Sequence, residues 1–404
     1  MEFGKRGKRL KNKQWFFILA LFLVSLNLRP AITSIGPLLT QIQADLSMNA
    51  LTASLITAIP VFCMGIFAPL AGILSSRLGI DWSILLCICL VGLATAARFV
   101  VHTSVILLVS AFLVGVGVAI IGPLLSGFIK HHFPEQAPTM IGIYSVGIGV
   151  GATLSAGLAI PFATSFHSWK SALGIWALLA VVGFFIWLPI LRGSRPQEAE
   201  GPATKRRLPW DSGRAWVLLI AFGLQSGIYY SVTTWLSPKT EELGYSQAAA
   251  GIVLTTFSVI QMCCSLVIPM LVNRSRSRKP WLVGSGVLTL LGLTLCAFWT
   301  SPVSPWFAAA VLGVGLGGLF PILLILPLDE TRTADEASRW TAMMQCGGYI
   351  MSGIVPMLAG AIKDSLGSYR YSFMALMILA ICLVVTSVFL NKREEQLDAE
   401  AYSG

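Results

Sequence analysis

The chain has 404 residues, of which 55% are hydrophobic and only 11% are charged, and its formal net charge is +10. Soluble domains carry about 25% charged residues, so this composition excludes a protein that faces water over its whole surface. The basic residues lie in loops between apolar runs rather than on one soluble face. That arrangement argues against a nucleic-acid partner and favours contact with a lipid bilayer and its anionic leaflet.

Apolar runs long enough to cross a bilayer recur along the whole sequence, and a spanning helix needs about 20 such residues. In chain order we predict twelve spans, at 15–39, 50–75, 82–101, 104–129, 139–163, 171–191, 215–237, 247–272, 281–299, 305–328, 340–362 and 371–390. The predicted fold class is therefore an all-α membrane protein with twelve transmembrane helices in two pseudo-symmetric bundles.

A polar segment rich in Pro and Gly divides the spans into two groups of six. We expect an N-terminal six-helix bundle over 1–191, a cytoplasmic linker over 192–214 and a C-terminal six-helix bundle over 215–404. The two groups share residues at a nearly constant offset of 198. The matching pairs are Gly115 with Gly313, Gly117 with Gly315, Pro123 with Pro321, and Asn27 with Gln225. A six-helix unit used twice, with a substrate site between the copies, is typical of secondary transporters.

The distribution of basic residues predicts the orientation of the spans. If the N-terminus is cytoplasmic, 22 of the 28 Lys and Arg residues fall on the cytoplasmic side. The other six, which include Arg29 and Arg98, fall within spans or on the outer side. Because positive residues favour the cytoplasmic face, we expect a multi-pass protein of the cytoplasmic membrane with both termini inside.

Arg29 is the most informative residue of the first predicted span. It lies near the middle of the span, where an arginine costs at least about 2.5–3.5 kcal/mol, and it should therefore face a cavity or a partner. All 18 acidic residues fall in termini, loops or span ends, so the sequence offers no buried acid to pair with it. We interpret Arg29 as a substrate anchor, and the alternative is a structural arginine held by backbone carbonyls and Asn27. Pro30 follows it and frees a carbonyl one turn earlier.

Other polar side chains deep in spans are candidates for the same site, and interhelical hydrogen bonding is the alternative reading for each. The predicted substrate-binding residues are Arg29, Asn27, Tyr144, Gln225, Tyr229, Gln261, Gln345 and Tyr349, and Tyr230 is a further polar residue at this depth. Gln225 and Tyr229 are one helical turn apart, as are Gln345 and Tyr349. As a set they could form a polar, uncharged cage around an anion or a heteroaromatic ring.

Several classes of function find no support in the motifs. The glycine clusters lie in apolar runs, where they serve helix packing, and no phosphate-binding G-x-x-x-x-G-K-[ST] motif is present. The eight cysteines all fall inside apolar runs, without CxxC pairs or Cys/His spacing for a metal. We therefore expect no enzyme activity, no cofactor and no metal.

Two segments resemble a known family. Gly72, Arg77 and Gly79 lie in a loop that looks like a shortened gating motif of the major facilitator superfamily. The segment from Asn27 to Thr33, followed by Gly36 and Pro37, resembles the first span of the cyanate porter and nitroimidazole transporter group of that superfamily. The resemblance implies a monomeric transporter that moves a small anion or a nitroimidazole-like solute by alternating access. The alternative is a proton-coupled multidrug exporter, which usually needs a membrane-embedded carboxylate.

Overall fold

The computed structural model describes residues 15–133, 136–191, 208–272, 275, 277–299, 301, 303–331 and 334–390. This part of the chain contains twelve helices long and apolar enough to cross a membrane, as predicted. Spans 1 to 12 are, in order, Trp15–Leu46, Ala50–Phe67, Ile80–Val100, Ser104–His132, Thr139–Ser165, Trp169–Leu191, Gly213–Glu242, Gln247–Val272, Lys279–Phe298, Ser304–Pro327, Arg339–Leu366 and Tyr369–Phe389. No strand occurs in these residues.

Some helices extend beyond the spans, and some spans are interrupted. The helix of span 5 begins at Ala137, that of span 10 continues to Glu330, and that of span 11 begins at Ala334. Span 3 ends in a 3-10 turn at Ala97–Val100, and span 6 consists of helices Trp169–Gly174 and Ala177–Leu191.

Several boundaries differ from the sequence prediction; span 1, for example, continues to Leu46 rather than ending at 39. Span 2 ends at Phe67 rather than near 75, and a separate helix, Leu70–Leu78, follows it. Pro69 stands at the junction and has no N–H to continue the first helix. Span 7 begins at Gly213, two residues before the expected start at 215, because Ser212 caps it through the N–H of Ala215. Residues 192–207 of the expected linker lie outside the described residues.

The two halves pack their fourth spans in the same way. A side chain added at Gly115 of span 4 would collide with Pro60 of span 2, and one at Gly313 of span 10 would collide with Ile260 of span 8. Both glycines let two helices approach closely. Since spans 2 and 8 are themselves related by the repeat, the sequence offset corresponds to a repeated packing arrangement.

The halves meet along two pairs of helices. Span 2 packs against span 11, and span 5 packs against span 8. The distal end of the bundle is the end opposite Trp15, where span 1 begins, and Phe389, where span 12 ends. There the buried core is continuous between the halves, since Ile35 and Leu39 of span 1 belong to the same apolar cluster as Val232 and Trp235 of span 7. A second cluster lies within the first half, between residues 20 and 190.

The outer surface of the bundle is apolar. Large side chains that are more than half exposed include Leu93 in span 3, Phe185 in span 6, Met270 in span 8 and Ile378 in span 12. A water-facing surface would not carry such a belt around its circumference. The surface is suited to the hydrocarbon core of a bilayer, which agrees with a multi-pass membrane protein.

Candidate functional site

The first span is discontinuous at the position of the predicted substrate anchor. It is helical over 15–26, forms turns over 27–29, and resumes as the short helix Pro30–Thr33. Pro30 has no N–H to offer the carbonyl of Leu26, and Gly151 of span 5 packs so closely against that carbonyl that a side chain there would clash. The break is thus created by Pro30 and accommodated by a glycine in the neighbouring span.

Arg29 lies in this break and reaches the second half of the protein. Its Nη1 donates a hydrogen bond of 2.9 Å to the hydroxyl of Tyr230, which is buried in span 7. The guanidinium carbon lies 5.6 Å from the centroid of the Tyr230 ring and 5.8 Å from that of Tyr229. At these distances the electron-rich ring faces attract the cation.

Two further tyrosines complete the surroundings of the guanidinium. Tyr144 of span 5 and Tyr349 of span 11 both interact with it electrostatically. The hydroxyl of Tyr144 faces Gly122 of span 4, and the ring of Tyr349 packs edge-on against Phe222 at 5.2 Å. We call Tyr144, Tyr229, Tyr230 and Tyr349 the tyrosine cage. One half contributes the cation and Tyr144, and the other half contributes the remaining three rings.

No carboxylate forms an ion pair with Arg29 within the described residues. Ion pairs in this part of the chain include Lys170 with Asp45, Arg214 with Glu330, Lys239 with Glu242, Arg278 with Asp329 and Lys363 with Glu242, each near a span end. The Nε and Nη2 groups of Arg29 make no hydrogen bond in this part of the chain and remain accessible in a half-buried residue. The guanidinium therefore keeps donors that no group in the described part of the chain occupies.

The predicted amide residues have other contacts. Asn27 donates to the carbonyl of Leu179 in span 6 at 2.7 Å, so its side chain ties span 1 to its own half. Gln225 is buried and accepts from Ser226, and Gln261 donates to Ser265 on its own helix. Gln345 is half-buried, one turn before Tyr349.

The sequence does not identify Tyr230 as the direct partner of Arg29, because the one-turn spacing pairs Gln225 with Tyr229 on a shared helix face. The depth of Tyr230 in its span was the only signal available for it. Arg98, which the count of basic residues assigns to a span or to the outer side, lies in span 3 and is completely buried.

The residues expected to form a gate lie at the end of the bundle opposite the distal end. Gly72 and Arg77 are exposed on the helix Leu70–Leu78. Gly79 has a φ of +81°, a left-handed conformation that glycine adopts without strain, and it turns the chain into span 3.

The distal ends of the halves are joined by polar contacts. The carboxylate of Asp364 in span 11 accepts hydrogen bonds from the N–H groups of Ala50 and Leu51, at 2.8 and 2.7 Å, where span 2 begins. Thr40 of span 1 donates to Glu241 of span 7 at 2.8 Å. Together with the continuous apolar core, these bonds close the distal end in this structure.

A twelve-span bundle of two related halves, with a polar site between them at the break of a helix, defines a secondary transporter of the membrane. The sequence model of the Major Facilitator Superfamily matches residues 16–332 and 237–402. The chain belongs to this superfamily.

Two relatives with known roles indicate which group within the superfamily the chain resembles. The chain is 32% identical to a cyanate transport protein of Escherichia coli K12, over 94% of this chain and 98% of that protein. It is 25% identical to a 2-nitroimidazole transporter of the same organism, over 94% and 96% of the two chains. The resemblance to the cyanate porter and nitroimidazole transporter group is thereby confirmed.

Solved structures share the fold at low sequence identity. A nucleoside transporter superposes with a TM-score of 0.75 at 13% identity, over 92% of this chain and 99% of that chain. A bacterial homologue of the human lysosomal transporter Spinster superposes with a TM-score of 0.74 at 15% identity, over 93% and 96%.

Proposed function

We propose that this transporter carries a small anion or a polar heteroaromatic solute, of the kind represented by cyanate and nitroimidazole, across the cytoplasmic membrane by alternating access. Arg29 anchors the substrate, and the tyrosine cage surrounds it. Both chain termini lie in the cytoplasm, and the division into bundles falls at the 192–214 linker.

The observation that carries this proposal is the state of the Arg29 guanidinium. It is a permanent cation with free donors, it lies between the halves, and no acid in the described residues neutralises it. An arginine fork matches the oxygens of an anion or of a nitro group, and the tyrosine rings offer faces for a planar solute. A cationic drug would meet an uncompensated positive charge here, which disfavours the multidrug exporter.

The relatives support the same substrate class, since cyanate is a small anion and 2-nitroimidazole is a polar heteroaromatic compound. The remaining predicted residues would then act indirectly. Asn27 would hold the broken span in its half, and Gln225, Gln261 and Gln345 would contribute polar groups on spans 7, 8 and 11.

Calorimetric titration of the purified protein with cyanate and with 2-nitroimidazole tests the assignment. For Arg29→Gln we expect a roughly 10- to 100-fold loss of affinity, because a hydrogen bond to a charged group contributes about 1.5–3 kcal/mol. Arg29→Lys keeps the positive charge but lacks the two-pronged donor geometry of a guanidinium. Its affinity should lie between that of Arg29→Gln and that of the unmodified protein. Arg370→Gln removes the same charge from an exposed site on span 12 and should leave affinity unchanged.

Counterflow in proteoliposomes should show the same order of activities. Unchanged affinity in both Arg29 variants would contradict the proposal. Proton-driven transport of cationic drugs without a response to either test solute would instead support the exporter.

A further inference from the structure

A second arginine is buried in the first half without an acidic partner. Arg98 belongs to the 3-10 turn Ala97–Val100 that ends span 3, and its exposed fraction is 0%. No ion pair to it occurs within the described residues. A charged side chain is seldom buried so completely unless a specific set of hydrogen bonds holds it.

The guanidinium of Arg98 bridges three spans. Its Nε donates to the hydroxyl of Ser110 in span 4 at 3.0 Å, and its Nη1 donates to the backbone carbonyl of Ala31 in span 1 at 2.7 Å. Nη2 is buried and has no partner in the described part of the chain. Arg98 thus connects spans 3 and 4 to the segment that follows the break of span 1.

The carbonyl of Ala31 needs this donor because the helix around it is irregular. The N–H of Ile35, which would serve it in a continuous helix, bonds to Ile32 instead, and the N–H of Ser34 bonds to Pro30. A buried carbonyl without a partner is costly, and a charged donor is a strong replacement for the lost N–H. Ala31 lies only two residues after Arg29, so this bond fixes the local backbone next to the substrate anchor.

Among the described residues of the second half, no such arrangement occurs. The repeat offset of 198 relates Arg98 to Cys296, a buried residue near the end of span 9. A thiol cannot replace a guanidinium that donates to two spans. The first helix of that half, Gly213–Glu242, is continuous. The buried arginine therefore occurs in the half whose first span is broken, and the related position lacks it where the span is intact.

We propose that Arg98 is a positioning residue, which holds the segment Pro30–Thr33 so that Arg29 points between the halves toward Tyr230. The hydrogen bond between the hydroxyls of Thr33 and Ser155 of span 5 anchors the other side of the same segment. This role rests on the proposed function of Arg29 as substrate anchor, but the placement of the Arg29 side chain can be measured without any substrate.

The first experiment therefore uses no substrate. Phenylglyoxal modifies accessible guanidinium groups, and peptide mass spectrometry measures its rate at Arg29. In Arg98→Lys, which keeps the charge but loses the fork, and in Ser110→Ala, which removes only the Nε acceptor, we expect Arg29 to react faster because its bond to Tyr230 weakens. The exposed Arg370 should react at an unchanged rate and serves as an internal control, and Cys296→Ala is the matched variant in the second half.

The second experiment titrates the same variants with cyanate and 2-nitroimidazole by calorimetry. Affinity should fall by roughly tenfold in Arg98→Lys, equivalent to about 1.4 kcal/mol. The fitted number of sites should stay unchanged, whereas a merely structural role would reduce the number of competent sites and leave the affinity of the rest intact.

Two failures are distinguishable. An unchanged Arg29 reaction rate in both Arg98→Lys and Ser110→Ala overturns the positioning role, whatever the ligand results show. If Arg29→Gln retains its affinity for the solutes, Arg29 is not the substrate anchor, and the calorimetric experiment loses its basis. If Arg98→Lys does not fold, Ser110→Ala decides alone.

Discussion

Asp364→Asn should open the distal end of the transporter. In the closed arrangement this carboxylate joins the halves by accepting from the N–H groups of Ala50 and Leu51 at 2.8 and 2.7 Å. Those groups belong to the first turn of span 2, the positive end of the helix dipole. An amide keeps one acceptor oxygen but loses the negative charge and the second hydrogen bond.

The size of the effect follows from these contacts. Hydrogen bonds to a charged group contribute about 1.5–3 kcal/mol, and a charge at a helix N-terminus about 0.3–1 kcal/mol. Asp364 is exposed, so water weakens both contributions, and the remaining oxygen recovers part of the loss. We therefore expect a shift of about 1 kcal/mol toward the state with an open distal end, which is about a fivefold change in population.

Electron-spin distance measurements test this shift. Spin labels at Ala44→Cys and Ala248→Cys, both exposed at the distal end, would be placed in a background without the eight native cysteines. The matched control is Asp45→Asn, since Asp45 contacts Trp169 and Lys170 within its own half. Unchanged distances in Asp364→Asn, or an equal shift in Asp45→Asn, would refute the reasoning.

Two further substitutions test the site and its scaffold. Tyr230→Phe removes the hydroxyl that receives Arg29, so calorimetry should show affinity reduced by up to roughly tenfold, the scale of one hydrogen bond to a charge; unchanged affinity would mean that this bond does not orient the guanidinium. Gly151→Ala should lower the melting temperature, because its methyl group collides with the Leu26 carbonyl and overpacking costs about 1–3 kcal/mol. Gly72→Ala, where a methyl group meets open space, should melt like the unmodified protein, and equal melting of both variants would contradict the packing argument.

The sequence predicts the fold well because hydrophobic length and loop charge are local properties. Twelve spans and the repeat at Gly115 and Gly313 need no knowledge of tertiary structure. The early end of span 2 was missed because an apolar run continues past Pro69, and hydropathy does not register the lost N–H.

The site was predictable only in its outline. The isolation of Arg29 from acidic residues follows from an inventory of the sequence. The sequence does not show that Arg29 bonds to Tyr230 rather than to Tyr229. Adjacent helical residues point about 100° apart, and the crossing of the two halves determines which of them faces Arg29. Arg98 could not be placed either, since an arginine at a span end can equally reach the membrane surface. Arg98 is buried because it lies in the 3-10 turn that ends span 3, and the sequence does not predict this turn.

The bond between Arg29 and Tyr230 itself joins the two halves, at the level of the proposed site. Rocking of one half against the other must lengthen or break this bond, because the two residues belong to different bundles. An anion held by the guanidinium and the tyrosine hydroxyls would replace it with a bridge of its own, and the energy of substrate binding would then act directly on the contact between the halves. In this proposal the site of recognition and the contact that movement changes are the same pair of side chains. A solute that binds without engaging Arg29 would then have little effect on the balance between the two states.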